Sequence, residues 1–435
     1  MKSTKNFNTP AMFLILEGIA YTTVFNLYNP FIQMFAKRMG GNDLHTALLN
    51  ALPPLVAIFT LIPLGIAIER VNRKRQIVLL LLLFMSAFFA AISFTPVLPQ
   101  SARVMVYVVA IGLLNLPGAL YLATWQSYFA DNFEGSFANR IYTLRSKYSQ
   151  FAGLITVLIT GLALTYIPKS DAQRIDIYRI FYLLCFALTL VQLYFFSKVK
   201  GKQPAHYNMS IAARQQDGGG QSGRSYDFTL KDLREMLTNK KFVIFCGCGL
   251  VFHFSWQMAW PALFIYHTQY ASLNELQLSI LSLFNGLAQV VSFSLWSKLI
   301  EKKGSNLVMA ISASGFAVVP LMYSMTLLSF PVITLLNAIG GVFMAGFSLS
   351  LFLGLLETLP EGKKTVYVSV FNTLINITGF FAPLVGTWFY TRTNIFFILF
   401  AAGILRLLGT FLYLLRWYSI KKRQRHDNVT AAVHR

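Results

Sequence analysis

Of the 435 residues, 55% are hydrophobic and 12% charged, where a soluble globular chain carries about 25% charged residues. The net charge of +21 is gathered in alternate loops between apolar runs and at the two chain ends, which together hold 29 of the 37 Lys and Arg. Composition thus excludes a soluble globular domain, and the clustering assigns the basic excess to orientation in a bilayer rather than to nucleic acid.

Twelve apolar runs of roughly 20 residues, enough to cross about 30 Å of hydrocarbon as a helix, lie near 11–36, 46–68, 76–97, 104–128, 146–167, 178–197, 242–267, 276–297, 307–328, 331–355, 366–389 and 394–417. With the basic loops inside, both termini are cytoplasmic and the chain is expected in the cell membrane, multi-pass. The first run is too long for a cleaved signal and lacks a small-residue cleavage site. Cys185, Cys246 and Cys248 are too few for a disulfide framework, and Cys-Gly-Cys has neither zinc nor thioredoxin-type spacing.

Run one places Glu17, Tyr21, Val24 and Tyr28 on one face. A carboxylate there faces the bundle interior. With no neighbouring cation evident, Glu17 is expected to have a raised proton affinity, which leaves two roles open: proton coupling, or a structural carboxyl hydrogen-bonded to Tyr21 or backbone. Asp43 is expected to cap run two, which Pro53, Pro54 and Pro63 would bend. A turn of about seven residues then separates runs two and three, and carries Gly65, Glu69, Arg70, Arg73, Lys74 and Arg75.

Asn115, Ala119 and Gln126 align along run four, followed by a second basic turn with Asp131, Arg140, Arg145 and Lys147. Ser149, Ala152, Thr156 and Thr160 give run five a small-residue face suited to close packing. After run six, residues 198–241 read as a cytoplasmic linker. Its Gly/Ser-rich part at 217–223 is flexible, and an amphipathic interfacial helix starts at Thr229.

The second half repeats the loop pattern of the first, and Trp296, Glu301, Lys302 and Gly304 echo the basic turn. His253, Gln257, Trp260 and Phe264 share a face of run seven, with Trp256 adjacent; Asn285 and Gln289 pair at i, i+4 on run eight. Ser369, Asn372, Asn376, Gly379 and Pro383 follow helical spacing on run eleven. Such stripes line a cavity or another helix, because lipid offers amides nothing to bond. Arg406 lies about ten residues from either end of run twelve, too deep to snorkel easily, and needs an acidic or carbonyl partner. Glu357 is expected in solvated pairing beside Glu361, Lys363 and Lys364.

Six plus six spans, a long central loop and a Gly-x-x-x-acid-Arg-x-x-Arg-Lys turn together resemble the major facilitator superfamily of transporters, in detail its bacterial-type members. Gly65, Glu69, Arg70, Arg73 and Lys74 match the superfamily's turn signature in kind, with Glu69 for its Asp and Asn72 for its second Gly. The resemblance implies an all-α fold of two pseudo-symmetric six-helix bundles, 1–197 and 242–420, with a tail at 421–435. It implies gating roles for Gly65, Glu69, Arg70, Arg73, Lys74, Glu301 and Lys302, since that turn latches the halves in one of the alternating states. Proton-linked members often carry an Arg in span four, where this chain has Arg103 at the outer end and Asn115 inside. Drug antiporters carry a Gly-Pro signature in span five that Gly153 to Gly161 lacks, so proton-driven drug efflux is not implied.

The expected activity is secondary active transport of a small or amphipathic organic solute; proton or counter-ion coupling, if there is any, would run through Glu17. Tyr21, Asn115, Gln126, His253, Trp256, Gln257, Trp260, Asn285, Gln289, Asn372 and Asn376 would line the cavity. The alternatives are a non-transporting membrane sensor or scaffold of the same fold, and a lipid translocase. No P-loop, His-Glu-x-x-His, nucleophile elbow or CxxC pair is present, so the chain is expected to be no enzyme and to need neither cofactor nor metal. Its partners would be the small-molecule substrate and the bilayer, and a monomer is expected.

Overall fold

The computed structural model describes residues 9–69, 73–133, 135–199, 235–359 and 364–433, all-helical with turns and no strand among them. Eleven described helices are long and apolar enough to cross a membrane. A further helix, α3, Asp43–Glu69, has 27 residues, of which Asp43–Phe59 form a shorter apolar stretch.

The first compact unit comprises Met1–Gly40 and Val56–Asp227. Its helices are α1 (Thr9–Tyr28), α2 (Ile32–Arg38), the greater part of α3, α4 (Lys74–Ser93), α5 (Gln100–Asn132), α6 (Gly135–Tyr166) and α7 (Asp171–Lys198). Pro30 has no N–H to continue α1, and a tight turn at Asn29–Phe31 joins it to α2 within one span. The N-cap of α3 is Asn42 rather than Asp43. The Asn42 side chain accepts from His45 N at 3.1 Å, and the His45 ring nitrogen Nδ1 accepts from Asn42 N at 3.1 Å. Asp43 instead occupies the first turn and accepts from Gln269 at 2.7 Å.

The second unit comprises Gly41–Leu55 and Phe228–Arg435. Its further helices are α8 (Lys240–Ile265, continued by a π-helical turn Tyr266–Tyr270), α9 (Glu275–Lys303), α10 (Ser305–Met325), α11 (Phe330–Leu356), α12 (Lys364–Arg392) and α13 (Ile395–Val433). Asn274 and Gln277 form a reciprocal capping box at the start of α9, both bonds at 2.9 Å. The linker helix expected from Thr229 falls almost wholly outside the described residues.

Within the first unit α1 packs against α6 and α7, and α4 against α5 and α7; within the second, α8 packs against α12 and α13, and α10 against α11 and α13. Counted from the start of each half, the same helix pairs recur. The buried fillings differ. In the first unit Phe35, Phe89, Tyr107 and Tyr182 interlock, with the Tyr107 and Tyr182 hydroxyls 2.8 Å apart. In the second, Phe245, Phe252, Phe316, Phe347, Phe371 and Tyr413 form one apolar cluster.

Candidate functional site

Glu17 is fully buried, and each carboxylate oxygen is engaged. Oε1 accepts from the Tyr121 hydroxyl and from Gln192 Nε2, the latter at 2.9 Å. Oε2 accepts from Arg145 Nε at 3.2 Å and Nη2 at 3.1 Å. The expectation that Glu17 has no cationic neighbour is therefore wrong. It fails because α6 begins at Gly135, not 146, so Arg145 is a helical residue directed at α1 and not part of a basic turn. The Arg145 guanidinium also lies 4.0 Å over the Trp125 ring. Gly18 makes this approach possible, since a Cβ there would stand 2.5 Å from Arg145 Cγ and 2.9 Å from Ser149 Oγ. One carboxylate thus ties α1, α5, α6 and α7 through four donors. Tyr21 is half-buried, its ring 5.3 Å from that of Tyr121.

In the second unit the α8 stripe faces neighbouring helices. Gln257 is buried, accepts from Thr378 on α12 at 2.7 Å and donates to Ile375 O at 3.4 Å. His253 is buried with Nε2 unpartnered among the described residues, and its ring stands 5.4 Å from Trp256 and 5.9 Å from Phe347. Trp256 meets Trp260 edge-on at 5.9 Å and Phe316 at 5.2 Å, and Trp260 is exposed. A separate polar chain links four helices. Gln289 donates to Asn285 at 2.7 Å, Asn285 to Asn337 O at 2.9 Å, and Asn337 to the Tyr323 hydroxyl at 2.9 Å, which contacts His267 at 3.1 Å.

Other expected residues stand apart from these networks. Asn115 donates to its own helix at Ile111 O, 2.8 Å, and Gln126 and Asn372 are exposed, while Asn376 is half-buried. Of the gating set, Arg70 lies outside the described residues, and Gly65 and Glu69 are described by their helical backbone alone. Arg73 is exposed just before α4, and Lys74 opens that helix; Glu301 and Lys302 are exposed on the last turn of α9. Glu357 is exposed and accepts from Ser305 at 2.6 Å and Asn306 at 2.8 Å, and Asn306 accepts from Arg416; Glu361, Lys363 and the Lys364 side chain lie outside what is described. Among the described residues no group of His, Cys, Asp or Glu could hold a metal ion.

Tyr121, Arg145, Gln192, Tyr323, Asn337 and Thr378 are the members that sequence reasoning missed. Gln192 and Asn337 are amides inside apolar runs, the signal that singled out Asn285. Arg145 was hidden by the run boundary.

A sequence profile described as Major Facilitator Superfamily matches the chain twice, over residues 14–250 and 245–433. No curated protein matches it. Among solved structures, the nucleoside transporter NupG is similar at TM-score 0.68 and 12% identity, over 94% of this chain and 99% of that one. A variant of NupG superposes at TM-score 0.67 and 12% identity, over 94% of this chain and 100% of that one. A D-xylose-proton symporter gives TM-score 0.64 at 13% identity, over 94% of this chain and 96% of that one. At these identities the likeness is one of fold.

Proposed function

Since the chain belongs to the Major Facilitator Superfamily, we propose that it is a secondary active transporter that carries a small or amphipathic organic solute by alternating access of its two six-helix halves. One observation carries the reading: carboxylate, amide and imidazole side chains sit inside both units, where lipid gives them nothing to bond. A solute path needs such an interior, and a packed scaffold does not. Solved transporters of nucleosides and of D-xylose with protons share the fold, which supports transport without specifying a solute. His253, Trp256, Trp260 and Asn376 offer aromatic faces and hydrogen bonds suited to an uncharged or weakly polar solute.

Proton coupling runs through Glu17 by exchange of its partnership with Arg145. A proton on Glu17 removes the charge that holds Arg145, and α1 and α6 are then free to shift. The positive-inside count supports insertion in the cell membrane with both termini cytoplasmic. One chain supplies both halves, so a monomer suffices.

Cysteine accessibility tests the reading. Cys185, Cys246 and Cys248 are buried and free, so a cysteine placed at Asn376 or Trp260 should dominate labelling by an impermeant maleimide. Transport predicts reaction from one membrane face under one proton gradient and from the other face when the gradient is reversed. Reaction from one face only, under both gradients and across a panel of solutes, overturns it. Labelling that switches in wild type but not in Glu17→Gln supports the proton route.

A further inference from the structure

Arg406 on α13 is 1% exposed. Its Nη1 donates to Phe316 O at 3.1 Å and its guanidinium carbon stands 4.7 Å over the Phe316 ring. Nε and Nη2 have no partner among the described residues. Those two nitrogens form one planar edge of the guanidinium, the same edge that Arg145 turns on Glu17.

Both nitrogens are buried, and the helix that carries them is closely packed. Gly403 and Gly409 flank Arg406 one turn before and one turn after. A Cβ at Gly403 would stand 2.6 Å from Leu321 Cγ on α10, and one at Gly409 would stand 3.0 Å from Phe252 Cα on α8. α13 therefore approaches both helices more closely than side chains at those positions allow, with Arg406 buried between the two glycines. A guanidinium remains charged in protein, and a buried charge requires a partner for its donors.

We infer that the Nε/Nη2 edge of Arg406 is an anion-binding site that takes a carboxylate group. Two parallel N–H donors in one plane match a planar carboxylate and match a spherical halide less well. The inference does not depend on the transport reading, because binding is read without flux.

The test uses the full chain in nanodiscs. Sodium acetate or sodium chloride replaces sodium gluconate, an anion too bulky for a buried site, at constant ionic strength, and the thermal midpoint is followed. Acetate should raise the wild-type midpoint saturably, and chloride at least tenfold less effectively. Arg406→Gln should abolish the response. Arg406→Lys, which keeps the charge but loses the paired edge, should weaken it at least tenfold, and Arg416→Gln should leave it unchanged. A flat wild-type titration, a response that survives in both Arg406 variants, or chloride acting as strongly as acetate overturns the assignment. Counterflow of labelled acetate in proteoliposomes then separates the sources. Counterflow lost in Arg406→Lys marks a carboxylate that enters as solute; a midpoint response without counterflow marks a resident anion and leaves the transport reading to its own test.

Discussion

The two halves share four helix pairings, and two interior arginines, Arg145 in the first and Arg406 in the second, are treated in opposite ways. In the first, Arg145 meets Glu17, and the pair is finished by Tyr121 and Gln192. In the second, Arg406 meets a backbone carbonyl and an aromatic face, and no carboxylate among the described residues completes it. Packing order is therefore a property of the scaffold, whereas interior charge is a local choice of each half. The first half stores its electrostatics within the chain; the second leaves a cation to be completed from outside it.

Removing one partner should break the contrast most strongly. Glu17→Ala leaves Arg145 buried beside Trp125 without a counter-charge, with an expected loss of about 3–5 kcal/mol, visible as a lowered unfolding midpoint in detergent. A Glu17→Gln, Arg145→Met double variant should lose less than the sum of its single variants, as directly coupled partners do. Additivity would mean the pair is not coupled. Next comes Gly18→Ala, whose Cβ would crowd Arg145 and Ser149. A cost of about 1–3 kcal/mol is expected, shrinking when Arg145 is also truncated.

In the second half, Thr378→Val removes the hydroxyl that Gln257 accepts from and should cost about 1 kcal/mol, a smaller penalty because no charge is stranded. Smallest is Glu301→Ala with Lys302→Ala. Both residues are exposed, so stability should stay within about 0.5 kcal/mol. If these residues gate, the rate of conformational exchange measured by cysteine labelling should change while the unfolding midpoint does not.

The spans were legible because a bilayer sets their length, and Glu17 stood out because lipid penalises a carboxylate. Its partners were not legible. Arg145 lies 128 residues away, and hydropathy ends a helix where apolar residues stop, whereas α6 continues through polar turns back to Gly135. Capping was misread by one residue, because Asn42 and Asp43 are equally good caps in sequence and only the reciprocal bond with His45 distinguishes them. Arg406 was recognised as needing a partner, and the carbonyl it found is on another helix, at Phe316.

The Glu17 network also dictates an order of biogenesis. The residues that complete it lie 104, 128 and 175 positions further along the chain, so α1 leaves the ribosome long before its carboxylate has a counter-ion. Until α6 and α7 are inserted, that helix is a poor resident of the bilayer. The ion pair therefore cannot close before α6 is in place, and it joins the start of the first half to its end.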